Sequence, residues 1–173
     1  AIVGLGYVGL PLAVEFGKKY SVIGYDINSS RVEEINKGID STLEIDEKIL
    51  KEVINKNPNN SGLLCSSEID LIRDSNYYIV TVPTPVDNSN QPDLTPLLNA
   101  TKLVGSVIKK DDYVIYESTV FPGATDDYCI PLLEEKSNLI LNKDFYVGYS
   151  PERINPGDKN ETLTKILKIT SGS

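Results

Sequence analysis

Histidine, methionine and tryptophan are absent from this 173-residue chain, and cysteine occurs only twice, at Cys65 and Cys129. Without imidazoles, no Ser–His–Asp triad can be assembled from these residues. The two thiols stand too far apart in sequence for a zinc-ligand spacing, and no metal is expected. Thiols this sparse fit a reducing, cytoplasmic setting. No apolar run reaches the ~20 residues that a membrane helix needs, and no signal-peptide pattern appears, so no membrane partner is expected. Positive charge is scarce as well: 17 Lys and Arg face 25 Asp and Glu, a formal net charge of -8. That balance argues against nucleic acid as a general partner. An anionic ligand must then be held by local features, such as helix N-termini and a few arginines. The chain opens inside a strand and without methionine, so natural residues before Ala1 are expected.

What is present begins at once. Ala1-Ile2-Val3 runs directly into Gly4-Leu5-Gly6-Tyr7-Val8-Gly9. A strand stub, a Gly-x-Gly-x-x-Gly turn and a helix start are the pattern that seats a dinucleotide diphosphate. Gly4 is expected to permit the sharp turn, Gly6 to let the backbone approach the phosphates, and Gly9 to let the helix pack closely. Val8, Leu12 and Phe16 recur at helical spacing as its apolar face. Pro11 falls in or near the first turn, where N–H groups lack intrahelical partners. A second strand, Tyr20–Tyr25, ends at Asp26, at the place where an acid accepts hydrogen bonds from the adenosine ribose and repels a 2′-phosphate. NAD is therefore expected rather than NADP. Arg31 is the counter-signal, since a nearby arginine can hold a 2′-phosphate; its other reading is a solvated helix residue. Ile27 and Tyr7 flank these groups and are taken with them as cofactor contacts.

Further along, Asn28 caps a helix through Val32 and Ile35 that Gly38 stops. Asp46–Asn55 reads as a short helix, Leu63–Ser66 as a strand, and Ser67–Arg73 as a helical segment capped by Ser67. Tyr77–Val82 suits a strand buried on both faces. Thr95-Pro96 starts a helix with Thr as cap and Pro first, and Leu97, Leu98, Ala100, Val104, Val107 and Ile108 form its apolar face. Tyr113–Tyr116 is a strand. A helix from Ala124 should be kinked or divided by Pro131. Phe145–Tyr149 is a strand, Glu161–Lys165 a short helix and Ile166–Thr170 a last strand. Strands alternating with helices imply a Rossmann-like, doubly wound α/β fold, a mostly parallel sheet with helices on both faces. Ligands of such sheets bind outside the carboxyl ends of the strands. Four loops answer to that description: Gly4–Gly9, Pro83–Pro92, Glu117–Gly123 and Ser150–Asp158.

Five motifs in these loops carry a family resemblance: Gly4-Leu5-Gly6-Tyr7-Val8-Gly9-Leu10-Pro11, Val82-Pro83-Thr84-Pro85, Pro92-Asp93-Leu94-Thr95, Glu117-Ser118-Thr119-Val120-Phe121-Pro122-Gly123 and Ser150-Pro151-Glu152-Arg153. With them the chain resembles, over essentially its whole length, the NAD-binding domain of the UDP-glucose/GDP-mannose dehydrogenase family. The run Ser150–Asp158 is similar to the branch that acts on UDP-N-acetylhexosamines. The resemblance implies a two-step oxidation at C6 of a UDP-sugar, alcohol to aldehyde to carboxylate, with two NAD reduced. A cysteine captures the aldehyde as a thiohemiacetal, which becomes a thioester and is hydrolysed. That cysteine belongs to a motif beyond this chain, so the chain is expected to be an excised NAD-binding domain, lacking a central helix and a UDP-binding domain and inactive alone. The longer enzyme is expected to be a homodimer. Cys65 and Cys129 are read as buried apolar residues.

Thr119 and Glu152 are the catalytic candidates. The Thr119 hydroxyl can bond a water or the reacting oxygen, or simply cap the next turn. Glu152, by resemblance, lies near the nicotinamide and activates the hydrolytic water, which requires a carboxylate within reach of it; the alternative is a loop acid paired with Arg153. Arg153 and Asn155, with Glu152, are the candidate sugar or diphosphate contacts. Val82, Pro83, Thr84, Ser118 and Thr119 join the cofactor set, and Glu117 either orients Thr119 or is structural. Other readings of the same residues are a UDP-glucose 6-dehydrogenase domain, a hydroxyacid or phosphogluconate dehydrogenase domain, and a non-catalytic NAD-sensing module. Loops Glu117–Gly123 and Ser150–Asp158 count against the second of these.

Overall fold

A computed structural model describes residues 1–55, 60–86, 90–153 and 167–173. These residues group into two compact units, Ala1–Ile72 with Arg153–Leu167, and Arg73–Glu152 with Lys168–Ser173.

The first unit is a βαβαβ arrangement. Strand β1 (Ile2–Val3) leads through helix α1 (Gly9–Gly17) to β2 (Ser21–Tyr25), and helices α2 (Ser29–Asn36) and α3 (Glu47–Val53) lead to β3 (Gly62–Ser66). The strands are parallel in the order β3-β2-β1, with Val3 opposite Tyr25 and Tyr25 opposite Ser66. Ile2, Leu5, Leu10, Val14, Ile35 and Leu63 are buried between sheet and helices. As expected, Asn28 caps α2, its side chain accepting from the N–H groups of Ser30 and Arg31. Asp46 caps α3 in the same way through Lys48 N–H. Phe16 departs from the expected face and is exposed, while Leu10, Pro11, Ala13 and Val14 are buried. At 3.6 residues per turn, each step of four advances roughly 40° around the helix, so two steps carry Phe16 off the core. A close approach lies at the other end of α1, where a Cβ on Gly17 would stand 2.7 Å from Val53 Cγ1 and 3.3 Å from the Gly62 carbonyl carbon. The segment after β3 is a 3₁₀ turn at Ile69–Ile72, and Ser66, not Ser67, accepts from its entry, the Glu68 N–H.

The second unit contains β4 (Tyr77–Val80), α4 (Thr95–Gly105), β5 (Asp112–Tyr116), a π-turn at Thr125–Cys129 that runs into α5 (Ile130–Ser137), β6 (Phe145–Tyr149) and β7 (Ser171–Gly172). Its order is β4-β5-β6-β7; the first three strands are parallel and β7 is antiparallel to β6. Pro131 sits where the wide turn gives way to α5, the division expected of it. Tyr78, Val80, Leu97, Val104, Val114, Tyr116, Leu133 and Phe145 form the core. Inside it Tyr116 donates to Thr101 Oγ1 at 3.0 Å, and Thr101 donates on to Leu97 O at 2.8 Å. Strand β4 is shorter than Tyr77–Val82, and Tyr77 is exposed rather than covered on both faces. Tyr77, Tyr113 and Tyr146 stack across β4, β5 and β6 with ring centroids 5.1 and 5.0 Å apart. Thr95 is the first helical residue of α4, not its cap: its own N–H donates to Asp93 Oδ1 at 2.8 Å. The expected last strand is displaced, since residues 167–170 are irregular and pairing begins at Ser171. The helix expected at Glu161–Lys165 lies outside the described residues. Among the described residues no helix is long and apolar enough to cross a membrane.

Candidate functional site

Leu5, between the first two motif glycines, is where the first unit concentrates its contacts. Its side chain is fully buried over β2, where a Cβ on Gly24 would stand 2.9 Å from Leu5 Cδ2. Its N–H donates to Asp26 Oδ2 at 2.7 Å, and its carbonyl accepts from Arg31 Nε at 3.0 Å. Gly4 holds φ +98°, a conformation that glycine adopts without steric cost, and donates its N–H to Tyr25 O at 2.8 Å. The turn is therefore tied to the end of β2 through backbone, carboxylate and guanidinium.

Beyond Leu5 the turn is open. A Cβ on Gly6 would meet nothing within 4 Å. Val8 begins α1 without a side-chain cap, and the first turn carries no acid. The N–H groups of a helix start lack intrahelical partners and attract anions. Gly9 and Val8 are buried, while Tyr7 and Ile27 are exposed. Asp26 sits just past β2, its N–H donating to Ser66 O at 3.2 Å and its Oδ1 accepting from Asn28 N–H at 2.9 Å. Each carboxylate oxygen accepts one backbone N–H, and a carboxylate offers about four lone-pair sites, so capacity remains for ribose hydroxyls. The residues present thus fit a dinucleotide: an uncapped helix start for the diphosphate, a side-chain-free Gly6 facing open space, and an acid for the sugar.

Arg31 is not the solvated helix residue that one reading made it. Its side chain is one-tenth exposed, and its guanidinium makes ion pairs with Glu34 at 2.8 Å and with Asp40 at 2.7 Å. Asp40 went unnoticed in the sequence, although Asp-Ser-Thr after a helix-ending glycine is a turn signal. Its carboxylate accepts from Thr42 N–H, Thr42 Oγ1, Glu44 N–H and Ile45 N–H. Burial pushes the Asp40 carboxyl upward, and these hydrogen bonds with that of Arg31 outweigh it, leaving the pKa below the ordinary aspartate value.

In the second unit, the ends of β5 and β6 are carried on by loops that extend the ladder: Glu117 N–H donates to Val80 O, and Ser150 N–H to Tyr116 O, both at 2.9 Å. Ser118 Oγ donates to Val82 O and Thr84 Oγ1 to Thr119 O, each at 2.6 Å. The Val82-Pro83-Thr84 loop and the Ser118-Thr119 loop are thereby stitched together, with Pro83 and Thr119 exposed. Glu117 is buried and makes an ion pair with Lys168. Burial raises its carboxyl above the ordinary glutamate value; the Lys168 ammonium opposes this, and the Glu152 charge reinforces it. Glu117 thus faces Lys168 and feels Glu152, the structural reading of this residue. Glu152 is half-buried at the end of the second unit, Arg153 is exposed, and Asn155 lies outside the described residues. Cys65 and Cys129 are buried free thiols, and burial pushes Cys65 up to about 12, with Arg31 opposing and Asp26 reinforcing the shift.

Comparison with known proteins bears on these residues. Residues 1–173 match the profile described as UDP-glucose/GDP-mannose dehydrogenase family, NAD binding domain. The chain is similar to the UDP-N-acetyl-D-glucosamine 6-dehydrogenases of Pseudomonas aeruginosa and Salmonella typhi, at 57% and 54% identity over all 173 residues. It spans 39% of the length of each of them. Among solved structures, the UDP-D-ManNAc dehydrogenase of Pyrococcus horikoshii superposes with a TM-score of 0.85 at 34% identity, over 99% of this chain and 40% of that one.

Proposed function

From the premise that this chain belongs to the UDP-glucose/GDP-mannose dehydrogenase family, as its NAD binding domain, we propose that it is the coenzyme-binding part of a UDP-N-acetylhexosamine 6-dehydrogenase. The sugar is read as UDP-N-acetylglucosamine, because the two relatives at 57% and 54% identity carry that name. The observation that carries the reading is the turn at Leu5-Gly6: an uncapped helix start beside an aspartate that closes the second strand. A UDP-N-acetylmannosamine enzyme is the second reading, supported by a relative from Pyrococcus horikoshii of that name at 38% identity.

In the first unit, Gly4, Gly6, Tyr7, Val8 and Gly9 are proposed to hold the diphosphate, and Asp26 and Ile27 the adenosine. In the second, Val82, Pro83, Thr84 and Ser118 are proposed as coenzyme contacts. NAD, when bound, supplies the acceptor for the hydride that leaves C6. Thr119 has its carbonyl held by Thr84, which fixes the backbone from which its hydroxyl is proposed to bond a water or the reacting oxygen. Glu152 is proposed as the general base that takes a proton from the hydrolytic water. Arg153, an exposed cation, is proposed with Asn155 to meet the sugar diphosphate. The covalent cysteine chemistry is proposed to reside in sequence outside this chain, in a longer protein that works as a cytoplasmic homodimer.

The experiment is a calorimetric titration of the chain with NAD and NADP, followed by assay of the longer protein with UDP-N-acetylglucosamine, its galacto and manno epimers, and UDP-glucose. Binding of NAD, preference for the N-acetylglucosamine substrate, and two NADH per sugar are expected. One NADH per sugar would contradict the two-step reading.

A further inference from the structure

The Arg31 guanidinium has five N–H donors, and the structure provides an acceptor for each. Nε donates to Leu5 O at 3.0 Å; Nη1 donates to Glu34 Oε1 at 2.8 Å and Ser41 Oγ at 3.3 Å; Nη2 donates to Asp40 Oδ1 at 2.7 Å and Thr42 Oγ1 at 3.4 Å. Two carboxylates therefore share one guanidinium. Helix α2 sets Arg31 and Glu34 three residues apart on one face. Gly38, at φ +76°, turns the chain so that Asp40 returns to the same guanidinium. The Asp40 side chain is fully buried. Four further hydrogen bonds from residues 42–45 lock it in place. Arg31 also shares Leu5 with Asp26, so it stands beside the acid proposed to grip the ribose.

An arginine in this neighbourhood accommodates the 2′-phosphate in NADP-binding proteins of this fold. To do so it must offer donors and uncompensated charge. Arg31 has neither to offer. We propose that Asp40 and Glu34 are coenzyme-selectivity residues: by engaging Arg31 they withhold its donors and charge from a 2′-phosphate, and so set the preference for NAD over NADP. The inference rests on the NAD reading above and extends it to two residues that contact Arg31 rather than the coenzyme.

The test is a set of titrations with NAD and NADP on the parent chain, Glu34→Gln, Asp40→Asn and the double variant, with the ratio of the two dissociation constants as readout. Neutralising both carboxylates frees the guanidinium and removes two like charges from the phosphate's surroundings. The NADP-to-NAD ratio of dissociation constants is expected to fall about tenfold or more in the double variant. Adding Arg31→Gln should cancel that gain. A merely structural role predicts that both coenzymes weaken together and the ratio stays fixed, and that result overturns the proposal. Should Asp40→Asn fail to fold in a melting experiment, the more exposed Glu34→Gln decides alone: a ratio lowered about threefold supports the proposal and an unmoved ratio sinks it. A parent chain that binds neither coenzyme overturns the NAD reading itself. That outcome is distinct from a parent that binds NAD while its variants keep an unchanged ratio.

Discussion

One residue, Leu5, shows how a glycine-rich turn acquires a fixed shape. Glycines supply freedom, and the shape comes from what holds the residue between them. Asp26 takes its N–H and Arg31 its carbonyl, and Gly24 leaves room for its side chain. Asp26→Ala strands a buried N–H without its acceptor, which costs about 1–3 kcal/mol; urea unfolding should register that loss, and NAD affinity should fall with it. Asp26→Asn retains an acceptor oxygen and should recover most of the stability. The Glu117 carboxyl makes a second residue-scale prediction. Its folded pKa lies above the ordinary 4.5, so the folded chain binds more protons than the unfolded chain in the window just above that value. Its contribution to stability is then full below pH ~4.5 and is lost as pH rises through the folded pKa. Unfolding free energies measured from pH 4 to 8 should fall less steeply over that window in Glu117→Gln than in the parent. The thiols give a third check: native Cys65 and Cys129 should resist a disulfide reagent, and both should react in denaturant.

At the scale of elements, Gly17 sets helix propensity against packing. Alanine is favoured over glycine in a helix by about 1 kcal/mol. Yet a Cβ here meets Val53 Cγ1 at 2.7 Å and the backbone of Gly62 at 3.3 Å. Overpacking of this kind costs about 1–3 kcal/mol, so Gly17→Ala should lower the melting temperature despite its better propensity. Much of the element plan was legible in the sequence. The Asn28 cap, the Phe145–Tyr149 strand and the division at Pro131 depend on local chemistry and were readable as such. What was not legible depends on partners far along the chain or on competition between neighbours. Thr95 looked like a cap until Asp93 took its N–H. Phe16 lost the core because a strict spacing of four drifts around the helix. Arg31 is governed by Asp40, nine residues away across a glycine turn, and no helical or strand period connects those two. The glycine turn and Asp26 were visible as a pattern; the clamp on Leu5 was not, because one of its ends is a guanidinium 26 residues away.

For the molecule as a whole, the division into two units matters most. Each has its own parallel strands and its own buried cluster. NAD is proposed to contact the glycine turn in the first unit and Val82, Pro83, Thr84 and Ser118 in the second, so the coenzyme should raise the stability of the chain with the logarithm of its concentration. Differential scanning calorimetry at increasing NAD concentrations checks this: a melting temperature that climbs with NAD is expected. The chain carries ten tyrosines and no tryptophan, so its near-ultraviolet optical activity is tyrosine signal. Three of those rings, Tyr77, Tyr113 and Tyr146, form a stack across neighbouring strands of the second unit, with adjacent centroids 5.1 and 5.0 Å apart. Rings so close couple their transitions, which gives that half of the chain a built-in spectroscopic reporter. Removing the middle phenol with Tyr113→Leu should erase most of the dichroic band near the tyrosine absorption, and in the parent chain the same band would reveal which half loosens first on heating.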